Sequence, residues 1–202
     1  MDTRLFGVAL AGACVVQAAQ AGIISSSNIV VWNAQVAAGG MVVETENFNA
    51  IADGFYNSPF AGSTASVGWS ASATSGLYVE NGVFSTNAPE TLSFVFTPGV
   101  RAVAGNFFGT DLNFNNATVL FTVLLNDGTG YTGIASSPTD FTGFFSTTSA
   151  TISGLTLTVS NFVGADPVYP SVDNLYFGVV PAPGAVALLG AAGLAGFSLR
   201  RR

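Results

Sequence analysis

The chain has 202 residues, a formal net charge of −6 and a mean hydropathy of +0.52, with 8% of residues charged against 49% hydrophobic. Low charge and high hydrophobicity exclude an intrinsically disordered chain, and the length suits one all-β domain. Between residues 22 and 180 ten acids face a single base, Arg101, giving −9, and a surface that acidic repels phosphate backbones and excludes nucleic acid as a partner.

From the N-terminus, Arg4 precedes an apolar stretch over 5–19, and Ala19-Gln20-Ala21 fits a small-x-small cleavage pattern. The sequence therefore predicts a signal peptide over 1–21, with Ala19 and Ala21 as the cleavage signal. Ala11-Gly12-Ala13-Cys14 also loosely resembles a lipobox, with Ala11 in place of the usual larger aliphatic residue. Cys14 is the one cysteine. Once 1–21 is removed, neither thiol nor disulfide remains, and core burial must supply the stability.

Residues 30–180 are strand-like. Leu92, Phe94 and Phe96 alternate with Ser93 and Val95 and stop at Pro98-Gly99. Val119, Phe121, Val123 and Leu125 alternate likewise, ending at the turn signal Asn126-Asp127-Gly128-Thr129-Gly130. A third set, Leu155, Leu157 and Val159, interleaves with Thr156, Thr158 and Ser160. Further strands are expected over 41–48, 65–73, 77–84, 102–108, 141–145 and 172–177. Period-two alternation of Thr, Val and Phe suits half-buried antiparallel strands, and no 3.6-residue apolar pattern interrupts them. Nine or ten strands without intervening helices predict an all-β fold over 22–180: an antiparallel β-sandwich of jelly-roll type.

After residue 180 the composition changes. Pro181-Ala182-Pro183-Gly184 breaks the strand pattern, 185–199 is uncharged and apolar, and Arg200, Arg201 and Arg202 close the chain. That run predicts a C-terminal transmembrane helix with its basic end retained in the cytoplasm. The ordered set of Val180-Pro181-Ala182-Pro183-Gly184, Ala187-Leu188-Leu189-Gly190, Gly193-Leu194-Ala195-Gly196 and the arginines resembles the PEP-CTERM sorting signal of Gram-negative bacteria. The resemblance covers about 22 of the 202 residues. It implies that 181–202 is a sorting signal, that an exosortase-type protease is a partner, and that the inner membrane holds the C-terminal helix before processing. Ala182 stands where the family carries glutamate, so if cleavage depends on that carboxylate the protein stays anchored. The same signal also bears the label "ice-binding protein C-terminal", which describes the tail. Ice binding favours flat Thr arrays, and Thr156-Leu157-Thr158 alone is not one.

The absence of histidine excludes Ser-His-Asp and Cys-His catalysis and imidazole metal sites, and the absence of lysine excludes Schiff-base chemistry. Glu44 and Glu46 share one face of a strand about 7 Å apart, a spacing compatible with glycoside hydrolysis but equally with a solvated polar face. Glu44, Glu46 and Asp173, from the first and last expected strands, could hold a structural calcium ion. Asp127 is placed by its turn. Trp32, Trp69, Tyr56, Tyr78, Tyr131 and Tyr169 could stack on sugar rings or pack the core. With no catalytic residues, metal ligands or cofactor assigned, the sequence predicts a non-enzymatic exported protein of the cell surface or extracellular matrix, associated with exopolysaccharide. The alternatives are a carbohydrate-binding module with an aromatic platform and a secreted polysaccharide-degrading enzyme.

Overall fold

The computed structural model describes residues 22–162 and 166–181. The expected signal peptide with Ala19 and Ala21, and the tail with Ala182, Pro183, Gly184, Arg200, Arg201 and Arg202, lie outside the described residues. Pro181 is the last of them. Among the described residues no helix is long and apolar enough to cross a membrane.

The described chain forms two antiparallel sheets packed face to face. The path of sheet A is β1 (Ile23–Ser26), β13 (Phe141–Ser146), β9 (Val100–Thr110), β15 (Tyr169–Val179), β7 (Val83–Thr86), β6 (Leu77–Glu80) and β3 (Gly54–Tyr56). Off that path, β10 (Asn116–Ala117) pairs with β9 and β2 (Val42–Glu46) pairs with β15. Sheet B runs β12 (Gly130–Ala135), β11 (Val119–Leu125), β14 (Gly154–Asn161), β8 (Leu92–Phe96), β5 (Gly68–Ser72) and β4 (Phe60–Ser63).

The three alternating sets expected from the sequence are β8, β11 and β14. Leu92, Phe94, Phe96, Val119, Phe121, Val123, Leu125, Leu155 and Leu157 all point into the core. Rings from the two sheets meet there: Phe96 lies 5.2 Å from Phe177, and Phe84 lies 5.9 Å from Trp69 and 6.0 Å from Phe94. The large aromatic side chains thus close the space between sheets that carry no disulfide.

Three expectations need correction. The single strand over 77–84 is a hairpin, β6 and β7, reversed at Asn81 and Gly82 with φ of 51° and 78°. An Asn-Gly pair of this handedness matches the twist of a two-residue hairpin loop. The strands β1, β3, β4, β10 and β12 were not anticipated; most are short, and β12 is diluted by Gly130 and Gly133.

The third correction is a helix, α1 (Ile29–Ala38), where strand or loop was expected. Its residues are almost uniformly apolar, which hides the helical period. Two things fix it. Asn28 caps the first turn, its side chain accepting from Val30 N–H at 2.9 Å and Val31 N–H at 3.2 Å. Trp32 and Val36, one turn apart and fully buried, then face a second core made by Ala102, Ala104, Phe145 and Met41 on the outer face of sheet A. The indole rests on Gly143, where an added Cβ would stand 2.5 Å from Trp32, and its Nε1 donates to the Phe144 carbonyl at 3.1 Å.

Among the described residues, no element covers the outer face of sheet B. Its outward rows include Ile134 opposite Leu120, Thr132–Thr122–Thr158, Leu124 opposite Thr156, and Val95 opposite Gly154. No residue of its six strands is charged.

Candidate functional site

The two carboxylates spaced for glycoside hydrolysis are engaged elsewhere. Glu44 Oε2 accepts from Ser66 N–H at 2.9 Å and from the Thr64 hydroxyl, while Oε1 accepts from the Ser66 hydroxyl. Burial pushes the Glu44 carboxyl up, but the hydroxyl and N–H donors of Ser66 and Thr64 together outweigh it and hold the group below its ordinary range. Glu46 accepts from Phe48 N–H at 2.9 Å and from the Trp69 indole at 3.1 Å. Both acids therefore staple β2 of sheet A to the β4–β5 hairpin of sheet B.

The calcium set does not assemble. β2 and β15 are neighbours, as expected for the first and last expected strands, but the ladder pairs Glu46 with Leu175 and Glu44 with Phe177, leaving Asp173 beyond the end of β2. Among the described residues no group of three carboxylates could hold a metal ion. Asp173 sits at a bulge on the half-buried outer face of sheet A, where burial raises its carboxyl above the ordinary range against one N–H from Asn174. The same burial, with the Asp173 charge, raises the Tyr176 phenol. Asp127 is a turn residue as read, accepting from Thr129 N–H at 2.9 Å.

Of the six aromatic candidates, the fold turns four inward. Trp32 and Trp69 are buried. The Tyr56 hydroxyl donates to the Ala52 carbonyl at 2.6 Å and its ring packs on Phe60 at 4.7 Å; Tyr131 lies between Phe121 and Phe144. The remaining two, Tyr78 and Tyr169, meet at one open cleft of about 190 Å³, together with Glu80, Thr86, Asn87, Asp111, Leu112 and Phe114.

Three pieces of backbone build this cleft. On β6, Leu77 and Val79 go into the core, so Tyr78 and Glu80 take the opposite face. Tyr169 opens β15 opposite Thr110, the last residue of β9. The third piece is the loop after β9. Asp111 Oδ1 accepts from Asn113 N–H at 2.8 Å and Asn115 N–H at 2.9 Å, and Oδ2 accepts from Asn115 Nδ2 at 3.0 Å. The Asn115 side chain is the main reason the Asp111 carboxyl lies below its ordinary range. That knot holds Phe114 at φ 58°, a region costly for a bulky side chain, and sets its ring 5.3 Å from Tyr78 at 42°. Behind these strands, Thr110 and Ser171 hydroxyls lie 2.9 Å apart, Ser171 donates to Ser85 at 3.0 Å, and Ser85 donates to the Pro170 carbonyl at 3.0 Å. The buried hydroxyl chain fixes β7, β9 and β15 relative to one another beside the cleft.

The cleft offers aromatic faces beside a carboxylate and an amide. Such a site can stack on the C–H face of a ring while accepting from and donating to its hydroxyls. Its volume is below that of pockets that enclose a small molecule, so it suits the side of a longer chain. Phe114 and the loop acid escaped the sequence reading. The available signal was Asp111-Leu112-Asn113-Phe114-Asn115-Asn116, where two large apolar residues stand among turn formers with no strand to place them in a core.

No family model matches the chain, and no curated protein matches it. Among solved structures, it is similar to "Carbohydrate binding module family29", at 8% identity and a TM-score of 0.36 over 68% of this chain and 88% of that chain. A family 29 carbohydrate binding module variant complexed with mannohexaose aligns at 9% identity and 0.35, covering 68% and 92%. One complexed with cellulohexaose gives 9% and 0.34, covering 67% and 91%.

Proposed function

We propose that this chain is a non-catalytic carbohydrate-binding domain whose cleft at Tyr78, Phe114 and Tyr169 takes up rings of a neutral polysaccharide. The observation that carries the proposal is the Tyr78–Phe114 ring pair, 5.3 Å apart, facing the same open groove as Tyr169, Glu80 and Asn87. The acidic balance of the domain disfavours anionic chains, which leaves neutral glycans as the ligand class. Hydrolysis needs two carboxylates flanking the bond. Glu44 and Glu46 are committed to joining the sheets, and of the two acids in the cleft, Glu80 and Asp111, the Asp111 carboxylate is held by its own loop.

The scaffold suits that role. Strands β7, β15, β9 and β13 lie side by side in sheet A, and β8, β14, β11 and β12 in sheet B, the nested order of an eight-strand jelly roll. Titration of the full chain with neutral oligosaccharides, read by calorimetry, tests the proposal. Tyr78→Ala and Tyr169→Ala should each weaken binding about tenfold, or about 1.4 kcal/mol. Affinity unchanged in the double variant, or no binding to any neutral glycan, would sink it.

The address belongs to the same proposal. Residues 1–21 direct export, and 181–202 anchor the domain to the inner membrane until an exosortase-type protease releases it near Pro183 to cell-surface polysaccharide. Intact mass of the protein recovered from the envelope is the check. Loss of both 1–21 and the tail supports release. A mass that retains the tail replaces processing with a plain anchor.

A further inference from the structure

The cleft uses β6 and the ends of β9 and β15 in sheet A and leaves the outer face of sheet B unexplained. We propose that this face joins two copies of the chain, packed sheet against sheet about a two-fold axis.

Charge supplies the first argument. Each copy carries −9 between residues 22 and 180, so two copies repel wherever carboxylates face each other. All ten of those acids sit on strands of sheet A or in connections, and the six strands of sheet B carry none. Among the described residues this is a broad surface on which two such acidic domains can meet with no acid on the opposing strands, Asp127 lying in the turn between β11 and β12 at its rim. Four exposed aliphatic side chains stand on this face: Val95 is 61% exposed, Ile134 52%, Leu124 45% and Leu120 39%.

Shape and area agree. Six strands at ordinary spacing make a face about 24 Å wide and about 20 Å along the strands, so a pair would cover about 1,000 Å², the lower limit for a specific interface. A hollow of about 480 Å³ lies between Val95 and Leu124, over the side-chain-free positions Gly154 and Gly128. It can receive a protruding aliphatic side chain of the second copy, so ridge and hollow are self-complementary, as an isologous contact requires. The hydroxyls on this face do not oppose burial strongly. Thr122 and Thr132 already pair at 2.9 Å, and Thr156 donates to the Leu124 carbonyl at 3.5 Å.

Sedimentation equilibrium of the full chain in detergent tests the pairing. The wild type should give twice the chain mass of 20.5 kDa after correction for bound detergent. Val95→Glu and Leu124→Glu each should weaken association at least about tenfold, since each places two carboxylates in the contact. Both side chains are solvent-facing, and an unchanged melting temperature verifies folding. Should either carboxylate disturb the sheet, Thr158→Lys adds charge to the same face with both aliphatics in place. A wild type that is monomeric at about 100 µM overturns the proposal. So does a pair indifferent to all three substitutions, which would assign association to the tail or another face; pelleting of monomer with an insoluble neutral glycan would assign the face to polysaccharide.

Discussion

The two sheets share one core and treat their outer faces in opposite ways. Sheet A is overlaid by α1, carries every charged residue found on a strand, and holds the cleft at the ends of β9 and β15. Sheet B is uncovered among the described residues, its strands uncharged and its outer face lined with Ser, Thr and aliphatic side chains. The difference teaches how an acidic protein without lysine or histidine manages its carboxylates. With Arg101 the one base among the described residues, it satisfies them with backbone N–H groups: Asp53 accepts from Asn81, Glu90 from Ser75, Asp140 from Ser136 and Ser137. Such donors are plentiful where loops and hairpins turn. A strand in the middle of a sheet has its N–H groups committed to the ladder, so six of the ten acids sit in connections, and Asp173 of the central β15 sits at a bulge. The centre of sheet B is left without charge.

The comparison breaks most completely if the cover is stripped from sheet A. Trp32→Ala removes the fully buried indole that binds α1 to Gly143 and Phe144, and with it the edge contact to Phe141 at 5.9 Å. A loss of about 3–5 kcal/mol is expected, the range for truncating a buried Trp. Chemical denaturation should show it as a lowered midpoint. A loss under about 1 kcal/mol would mean that α1 is an accessory and that both outer faces are effectively bare.

How far the sequence disclosed this design depended on neighbours. In β8, β11 and β14 the alternation of large apolar with small polar residues requires one buried face whatever packs against it, so those strands were legible. In α1 nearly every side chain is apolar, and the choice of Trp32 and Val36 as its buried pair is made by Ala102, Ala104 and Gly143, residues remote in sequence whose small size leaves room. The cleft was half legible for the same reason. Tyr78, Tyr169, Trp69 and Tyr131 are alike as residue types, and only the strand each occupies, with the direction its alternation takes there, decides between core and surface. The Glu44–Glu46 spacing was real, but it serves Thr64, Ser66 and Trp69 rather than a substrate.

A smaller change sharpens the contrast at the seam between the sheets. Glu44→Gln keeps the shape of the staple and removes its charge. Because the folded state holds this carboxyl below its ordinary range, the charged form contributes stability at neutral pH, and that contribution is lost as pH falls through the folded value. The variant should therefore be less stable by about 1 kcal/mol at neutral pH, a charge-assisted hydrogen bond discounted for solvent, and should converge with the wild type in acid. Thermal melts of both proteins at neutral pH and at about pH 3 decide it. An equal deficit at both values would show that the amide fails on geometry rather than on charge.

The smallest effect has the opposite sign and belongs to the covered face. Asp173 is raised by burial, so its ionisation works against the folded state. The stability it permits is fully present below the ordinary aspartate range and declines as pH rises through that range toward the elevated folded value. Asp173→Asn should then stabilise the protein by about 0.5 kcal/mol at neutral pH, since the group is only half-buried and solvent screens the penalty. The gain should vanish in acid, the mirror image of Glu44→Gln. The Asn174 N–H keeps an acceptor in the amide, so the bulge at 173–175 has no reason to move. Lowering the Asp173 charge should also let the Tyr176 phenol ionise more readily, which ultraviolet titration at alkaline pH can read independently of stability. A phenol that does not respond would mean that burial under α1 alone raises it, and that the cover itself, rather than any charge on sheet A, sets the electrostatics of that face.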